Sequence, residues 1–323
     1  MSSPVAVSPS PASFSSSLRL FDMGALLYLG AVWGAAFLFL RIAAPEVGPA
    51  WAAAIRLAIG SGILMLIAGR RTLAAVRGRW LAFLVVGATF TAIPFTLIAV
   101  ATLTLPAGFT ALLNAATPLF TAVLGVVVLG QRLLPRVVAG LAVGVVAAVV
   151  LIGWSPLETG PTTLLAVAAG LGAPACYAVA GTLARKHLSG VGSLELATGT
   201  LAAGALVALP MAMLTGAPGT PSLDGVVALV GVGTLSTAMA SPVFFRVLAH
   251  TTPTAASTVT FIVPAFAIAW GALILGEAVG PELVAGFTLV LVSLMLVLGI
   301  RPAMPSLAVR VLGRRTVAAP AGA

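Results

Sequence analysis

The sequence predicts an all-α integral membrane protein whose ten transmembrane helices form two inverted-topology five-helix repeats. Three observations lead there: a composition too poor in charge for a soluble globule, ten apolar segments of spanning length, and an internal duplication of half the chain. Of 323 residues, 60% are hydrophobic and 7% are charged, with a mean hydropathy of +1.19. An ordinary soluble domain carries about 25% charged residues.

The apolar segments run approximately over residues 24–43, 49–69, 80–101, 107–129, 135–154, 161–183, 193–214, 224–245, 253–275 and 281–300. Each approaches the roughly 20 residues that carry a helix across the hydrocarbon core. Helices are expected because a bilayer cannot satisfy open sheet edges, and the alternating strands of a barrel are absent from the pattern. The 35 glycines and 22 prolines suit membrane helices, where glycine permits close approach. Gly140 and Gly144 fit that use.

Charge placement sets the expected topology. Fourteen of the sixteen basic residues fall in alternate connections and the two tails: Arg19, Arg70, Arg71, Arg77, Arg79, Arg132, Arg136, Arg185, Lys186, Arg246, Arg301, Arg310, Arg314 and Arg315. The other connections hold Glu46, Glu158, Asp224, Glu277 and Glu282, with Arg41 at the end of the first span. This positive-inside pattern places both termini in the cytoplasm. The formal charge of +9 therefore reads as topology, and no basic patch interleaved with aromatics points to nucleic acid. Residues 1–20 and 301–323 are expected as cytoplasmic tails, the first disordered and rich in Ser and Pro. The repeats are expected over 21–155 and 156–300. One cysteine, Cys176, leaves no internal disulfide or cysteine metal cluster, and no cofactor or metal is expected. Fifteen arginines against one lysine, with abundant alanine, suggest a GC-rich bacterial genome and a plasma-membrane location.

Sliding the chain by 146 residues lays PLFTAVLGVVVLGQRLLPRVVAG (118–140) over PAFAIAWGALILGEAVGPELVAG (264–286) without a gap. Nine of 23 positions are identical, five of them Gly or Pro, where chance pairing of such a composition gives roughly two or three. A unit of five spans inverts the second copy relative to the first. That arrangement is expected of secondary transporters, with substrate near the midplane at the repeat interface.

LLNAATPLF (112–120) puts Asn114 four residues ahead of Pro118. If the helix continues through the proline, the carbonyl of residue 114 loses its donor. The second copy has Thr260 and Pro264 at those positions. The expectation is two facing helices hinged at Pro118 and Pro264, with Asn114 and Thr260 offering hydrogen bonds to substrate.

WGAAFLFLRIA, AWAAAIRLAIG and the twin segments ATPLFTAVLGVVVLGQRL and TVTFIVPAFAIAWGALILGE resemble the ten-helix EamA-like family of the drug/metabolite transporter superfamily, over about residues 24–300. The resemblance implies an exporter or permease for amino acids, related metabolites or drugs, with a central cavity formed by both halves. The family's usual acidic residue after the glycine is Gln131 in the first copy and Glu277 in the second.

Charge inside a span costs about 2.5–3.5 kcal/mol on insertion scales, so Arg56, two turns into the second span, is a candidate. It matches an arginine the family tends to carry. Facing a cavity to attract a carboxylate, pairing with Glu46, and snorkelling to the headgroups all remain open to it. Arg41 reads as an interfacial anchor. No Asp or Glu lies mid-span, which favours facilitated diffusion or exchange over carboxylate-mediated proton coupling. Tyr28, Trp33, Tyr177, Thr91, Ser236, Thr237 and Ser241 complete the candidate lining, and its neutral character suits a small zwitterion or amphipathic metabolite. The alternative, an intramembrane lipid- or isoprenoid-modifying enzyme, lacks a catalytic constellation in the sequence: no GxSxG, HExxH or DxxD occurs. The expected partners are a small-molecule substrate and the lipid bilayer; the oligomeric state is left open.

Overall fold

The computed structural model describes residues 20–129, 134–153, 160–250 and 259–299. The tails beyond Leu20 and Gly299, residue Gln131 and the beginning of the expected 253–275 segment lie outside these. Every regular element among the described residues is helical: α1 (Leu20–Val47), α2 (Pro49–Arg77), α3 (Trp80–Gly87), a π-helical turn π1 (Ala88–Ala92), α4 (Ile93–Thr104), α5 (Ala107–Asn114), α6 (Thr117–Leu129), α7 (Pro135–Gly153), α8 (Pro161–His187), α9 (Ser193–Met213), α10 (Leu223–Gly233), π2 (Thr234–Met239), α11 (Ala240–His250), α12 (Val259–Leu275) and α13 (Pro281–Leu298).

Among the described residues, eight stretches are long and apolar enough to cross a membrane. The segments expected at 135–154 and 253–275 appear as shorter apolar helices, Pro135–Leu151 and Val259–Leu275. Proline at the first turn starts α2, α8 and α13, where its missing N–H is no loss. Small residues fill the helix contacts: Ala52, Ala53, Ala99, Ala107, Ala173 and Ala267 are all wholly buried, whereas Leu66, Val127, Leu206 and Leu273 point outward. An outward-facing apolar surface is what lipid solvation requires.

The two halves pack as symmetry mates. α7 and α13, 146 residues apart, lie with Gly140 against Leu296 and Val297, Gly144 against Ser293, and Leu151 against Gly286; rising numbers on one meet falling numbers on the other, so they are antiparallel. α5 and α12 behave alike, with Ala107 beside Gly271 and Gly108 against Ile268. Cross-contacts also come in mated pairs: α1 on α12 with α8 on α6, α1 on α10 with α8 on α3, and α1 on α11 with α8 on α4. Both π turns occupy equivalent positions, starting at residues 88 and 234.

One end of the bundle, the acidic end, carries Glu46, Asp224, Glu277 and Glu282; the opposite, basic end carries Arg77, Arg79, Arg136, Arg185 and Lys186. The acidic end is tied between halves. Ala107 N–H donates to both carboxylate oxygens of Glu277 at 3.1 and 3.0 Å, and Glu277 sits 3.8 Å from Arg41 Nε. Arg41 Nη1 donates to the carbonyls of Thr102 at 2.6 Å and Leu103 at 2.8 Å, a cation at a helix C-terminus. Arg41 thus bridges helices at the end of its span. Glu46 accepts from the N–H and hydroxyl of Ser222, which itself caps α10.

The hinge expectation changes in detail. The first copy does not continue through Pro118: α5 ends at Asn114, Ala115 and Ala116 form a turn, and α6 restarts at Thr117. The Asn114 carbonyl accepts from the Thr117 hydroxyl at 3.0 Å, so it is satisfied by a side chain. Pro264 lies inside the unbroken α12.

Candidate functional site

One cavity of about 430 Å³ lies between the halves. Its walls come from α1, α2, π1, α4, α5, α6, α8, α9, π2, α11 and α12. α1 presents Trp33, Ala36, Phe37 and Leu40, the three- and four-residue spacing of one helix face.

Of the residues singled out above, Asn114, Thr260, Trp33, Tyr177, Arg56, Ser236 and Ser241 line this cavity, as do Thr91, Thr237 and Pro264. Tyr28 and Pro118 are not among its lining residues. Tyr28 precedes Trp33 by five residues, about 140° round the helix; it packs into the core beside α1, its hydroxyl buried without a partner. Pro118 is the second residue of α6.

Most polar groups in the wall are already bonded within the protein. Ser236 Oγ donates to the Val32 carbonyl at 2.5 Å, and Trp33 Nε1 donates to the Ser236 carbonyl at 3.1 Å, so this pair seams α1 to π2. Ser241 Oγ donates to the Thr237 carbonyl at 2.7 Å. Two groups differ. Asn114 Oδ1 is buried with no hydrogen-bond partner among the described residues, a condition costing about 1–3 kcal/mol. Arg56, 5% exposed, donates from Nε to Thr237 Oγ1 at 2.8 Å and lays its guanidinium 3.7 Å over the Phe95 ring centroid. Glu46 is engaged at Ser222 instead, so the expected Glu46 partnership of Arg56 is not formed, and neither is snorkelling.

Aromatic rings shape the remainder. Trp33 and Phe244 meet at 5.2 Å with planes tilted by 56°, and Phe90 meets the Tyr177 ring edge-on at 5.5 Å. Phe90 and Phe95 escape a search for polar groups in spans. The 146-residue offset finds them, because subtracting it from Ser236, Thr237 and Ser241 gives Phe90, Thr91 and Phe95, all in the cavity wall. Among the described residues no cluster of His, Cys, Asp or Glu is disposed to hold a metal ion.

Two stretches, residues 22–153 and 164–299, match the EamA-like transporter family. The chain belongs to that family. Among solved structures, a crystal structure aligns with 92% of this EamA-like chain and 99% of its own, at a TM-score of 0.61 and 17% sequence identity; that likeness concerns the fold. No curated protein matches the chain. Membership makes this a multi-pass protein of a transporter family, in which the cavity between the repeats is the candidate substrate site.

Proposed function

We propose that this EamA-like protein is a secondary carrier that moves a small organic metabolite, such as an amino acid or related compound, by alternating access. The observation that supports it is a cavity walled by both halves whose lining includes Arg56, with only its Nε bonded, and Asn114, whose Oδ1 has no partner among the described residues. A ligand with an acceptor at one end, a donor at the other and an apolar body would meet all three surfaces. Thr260, Tyr177 and the bonded Ser236, Ser241 and Trp33 complete the wall around it.

The proposal adopts ten spans in two inverted repeats, 21–155 and 156–300, with both termini in the cytoplasm of a bacterial cell. Antiparallel packing of helices 146 residues apart and segregation of basic residues to one end support that topology. The ties at the acidic end then close the outer face, and facilitated diffusion or exchange needs no carboxylate in mid-span. No catalytic activity is assigned.

Counterflow tests the reading. Purified protein in proteoliposomes, preloaded with pools of unlabelled amino acids and metabolites, is expected to accumulate labelled counterparts, and Asn114→Ala to weaken that accumulation. Failure of every pool with folded protein would remove the carrier reading. Uptake that follows an imposed pH gradient would replace exchange with proton coupling.

A further inference from the structure

Arg56 is held as well as buried. Its Nε–H meets the Thr237 hydroxyl at 2.8 Å. That hydroxyl has one proton, and donates it to the Val232 carbonyl at 2.8 Å, so toward Arg56 it can only accept. The bond to Val232 spans five residues, one more than the usual threonine back-bond to the preceding turn. Its symmetry mate Thr91 keeps the four-residue pattern, donating to Gly87.

Room for this arrangement comes from Gly60, one helical turn beyond Arg56 on the same face. A Cβ there would lie 2.6 Å from the Thr237 methyl, so any larger residue would push Thr237 away. Phe95 covers one face of the guanidinium at 3.7 Å. With Nε used and one face stacked, the donors remaining are the N–H groups of the two terminal nitrogens of this cavity-lining residue. The equivalent of Arg56 in the second repeat, position 56 + 146 = 202, is Ala202, which leaves the receptor one-sided.

We propose that Thr237, with Phe95, positions Arg56 as a two-point receptor for a single substrate carboxylate, and that Thr237 thereby sets a preference for carboxylates over the matching amides. Resting on the carrier reading, this adds the substrate's anionic group and a residue whose hydroxyl acts through Arg56, being engaged by Arg56 and the Val232 carbonyl. A guanidinium fork matches a carboxylate in both spacing and planarity, and a free-turning fork loses that match.

The test is binding to the purified full chain, read by tryptophan emission and calorimetry. The probes are 3-phenylpropionate, L-phenylalanine and L-leucine, each beside its amide, chosen because the cavity wall is largely aromatic and aliphatic. Native protein is expected to prefer carboxylate to amide by about tenfold or more, since hydrogen bonds to charged groups contribute about 1.5–3 kcal/mol. Thr237→Val should lower carboxylate affinity about tenfold and reduce the preference, because amide affinity falls by a smaller factor. Thr237→Ser, which restores the acceptor in a side chain that fits the site, should recover both. Arg56→Lys, a charge without a fork, should lose the preference. Carboxylate affinity unchanged in folded Thr237→Val, or Thr237→Ser no better than valine, would overturn the positioning role. Binding of no carboxylate by native protein would overturn the receptor itself. Failure here is distinguishable from failure of the carrier reading: the expected binding pattern without counterflow removes only the carrier, and counterflow indifferent to Thr237 removes only this inference.

Discussion

Residues 112–120 and 258–266, LLNAATPLF and TVTFIVPAF, are mates in the two repeats with proline at the same place, yet one chain breaks and the other runs on. The residue before the proline differs: Thr117 in the first copy, Val263 in the second. Thr117 offers a hydroxyl to the carbonyl that its proline strands and can start a fresh helix. Valine has the same shape without the oxygen. The second copy is also clamped: α1 presents Gly30 to Ile262 and Gly34 to Phe266, Ala267 and the Val263 carbonyl. Matched prolines therefore permit a break, and local capping together with neighbouring glycines decides whether one forms. The broken copy holds beside the cavity a buried amide oxygen with no partner among the described residues; the intact copy supplies wall.

Breaking the clamp should have the largest effect. Gly34→Ala places a Cβ 2.7 Å from Phe266 Cβ and 2.8 Å from the Ala267 backbone nitrogen. Backbone cannot step aside as a flexible side chain does, so a loss of about 3 kcal/mol is expected, read as a lowered midpoint of thermal unfolding in detergent. Unchanged melting would mean that the second copy does not depend on this contact. Asn114→Ala comes next, with counterflow reduced about tenfold, the worth of a hydrogen bond in a site that excludes water, and little change in melting. Thr117→Val gives the first copy the residue of the second. Stranding the Asn114 carbonyl should cost about 1–2 kcal/mol, and amide exchange around residues 115–116 would register it. Val263→Thr, the reciprocal change, should shift stability by no more than about 0.5 kcal/mol.

The copies differ again at their ends, where Glu277 answers to Gln131. Burial raises the Glu277 carboxyl above its ordinary range, opposed by the Ala107 N–H, by Arg41 and by the Gly108 N–H. A state with this end closed then holds the proton more tightly than one in which Glu277 reaches water. The contribution to the closed state is present in full below the ordinary carboxylate pKa and is lost as pH rises through the raised value. Labelling of a cysteine introduced at Ala36, in protein with Cys176 replaced, should therefore increase as pH rises above the ordinary carboxylate range. Glu277→Gln should flatten that dependence, and an equal slope in both proteins would detach it from this residue.

The eight longest segments were legible in the sequence because each apolar run is long and its ends carry Pro, Gly or charge. Asn114 stood out as the only asparagine in the chain, and Arg56 as a charge within a span. Phe90 and Phe95 did not, since two among fourteen phenylalanines in an apolar chain carry no local mark. Tyr28 misled because polarity says nothing about the direction a helix faces. The π turns were hidden for another reason: a five-residue hydrogen bond is a choice between nearly equal ladders, and it is settled by what packs alongside. The same applies to the 114 carbonyl, where Thr117 was visible but its hydroxyl's direction was not.

The carboxylates at the acidic end bear on how the protein is made. Glu46, in the first repeat, completes the start of α10 in the second, and Glu277, in the second, completes the start of α5 in the first. While the ribosome is still working on the second repeat, α5 is already in place with an N-terminal amide that waits for a residue 170 positions further on. Neither repeat expressed by itself has its full set of helix caps, whereas two separately encoded halves produced together can supply each other's.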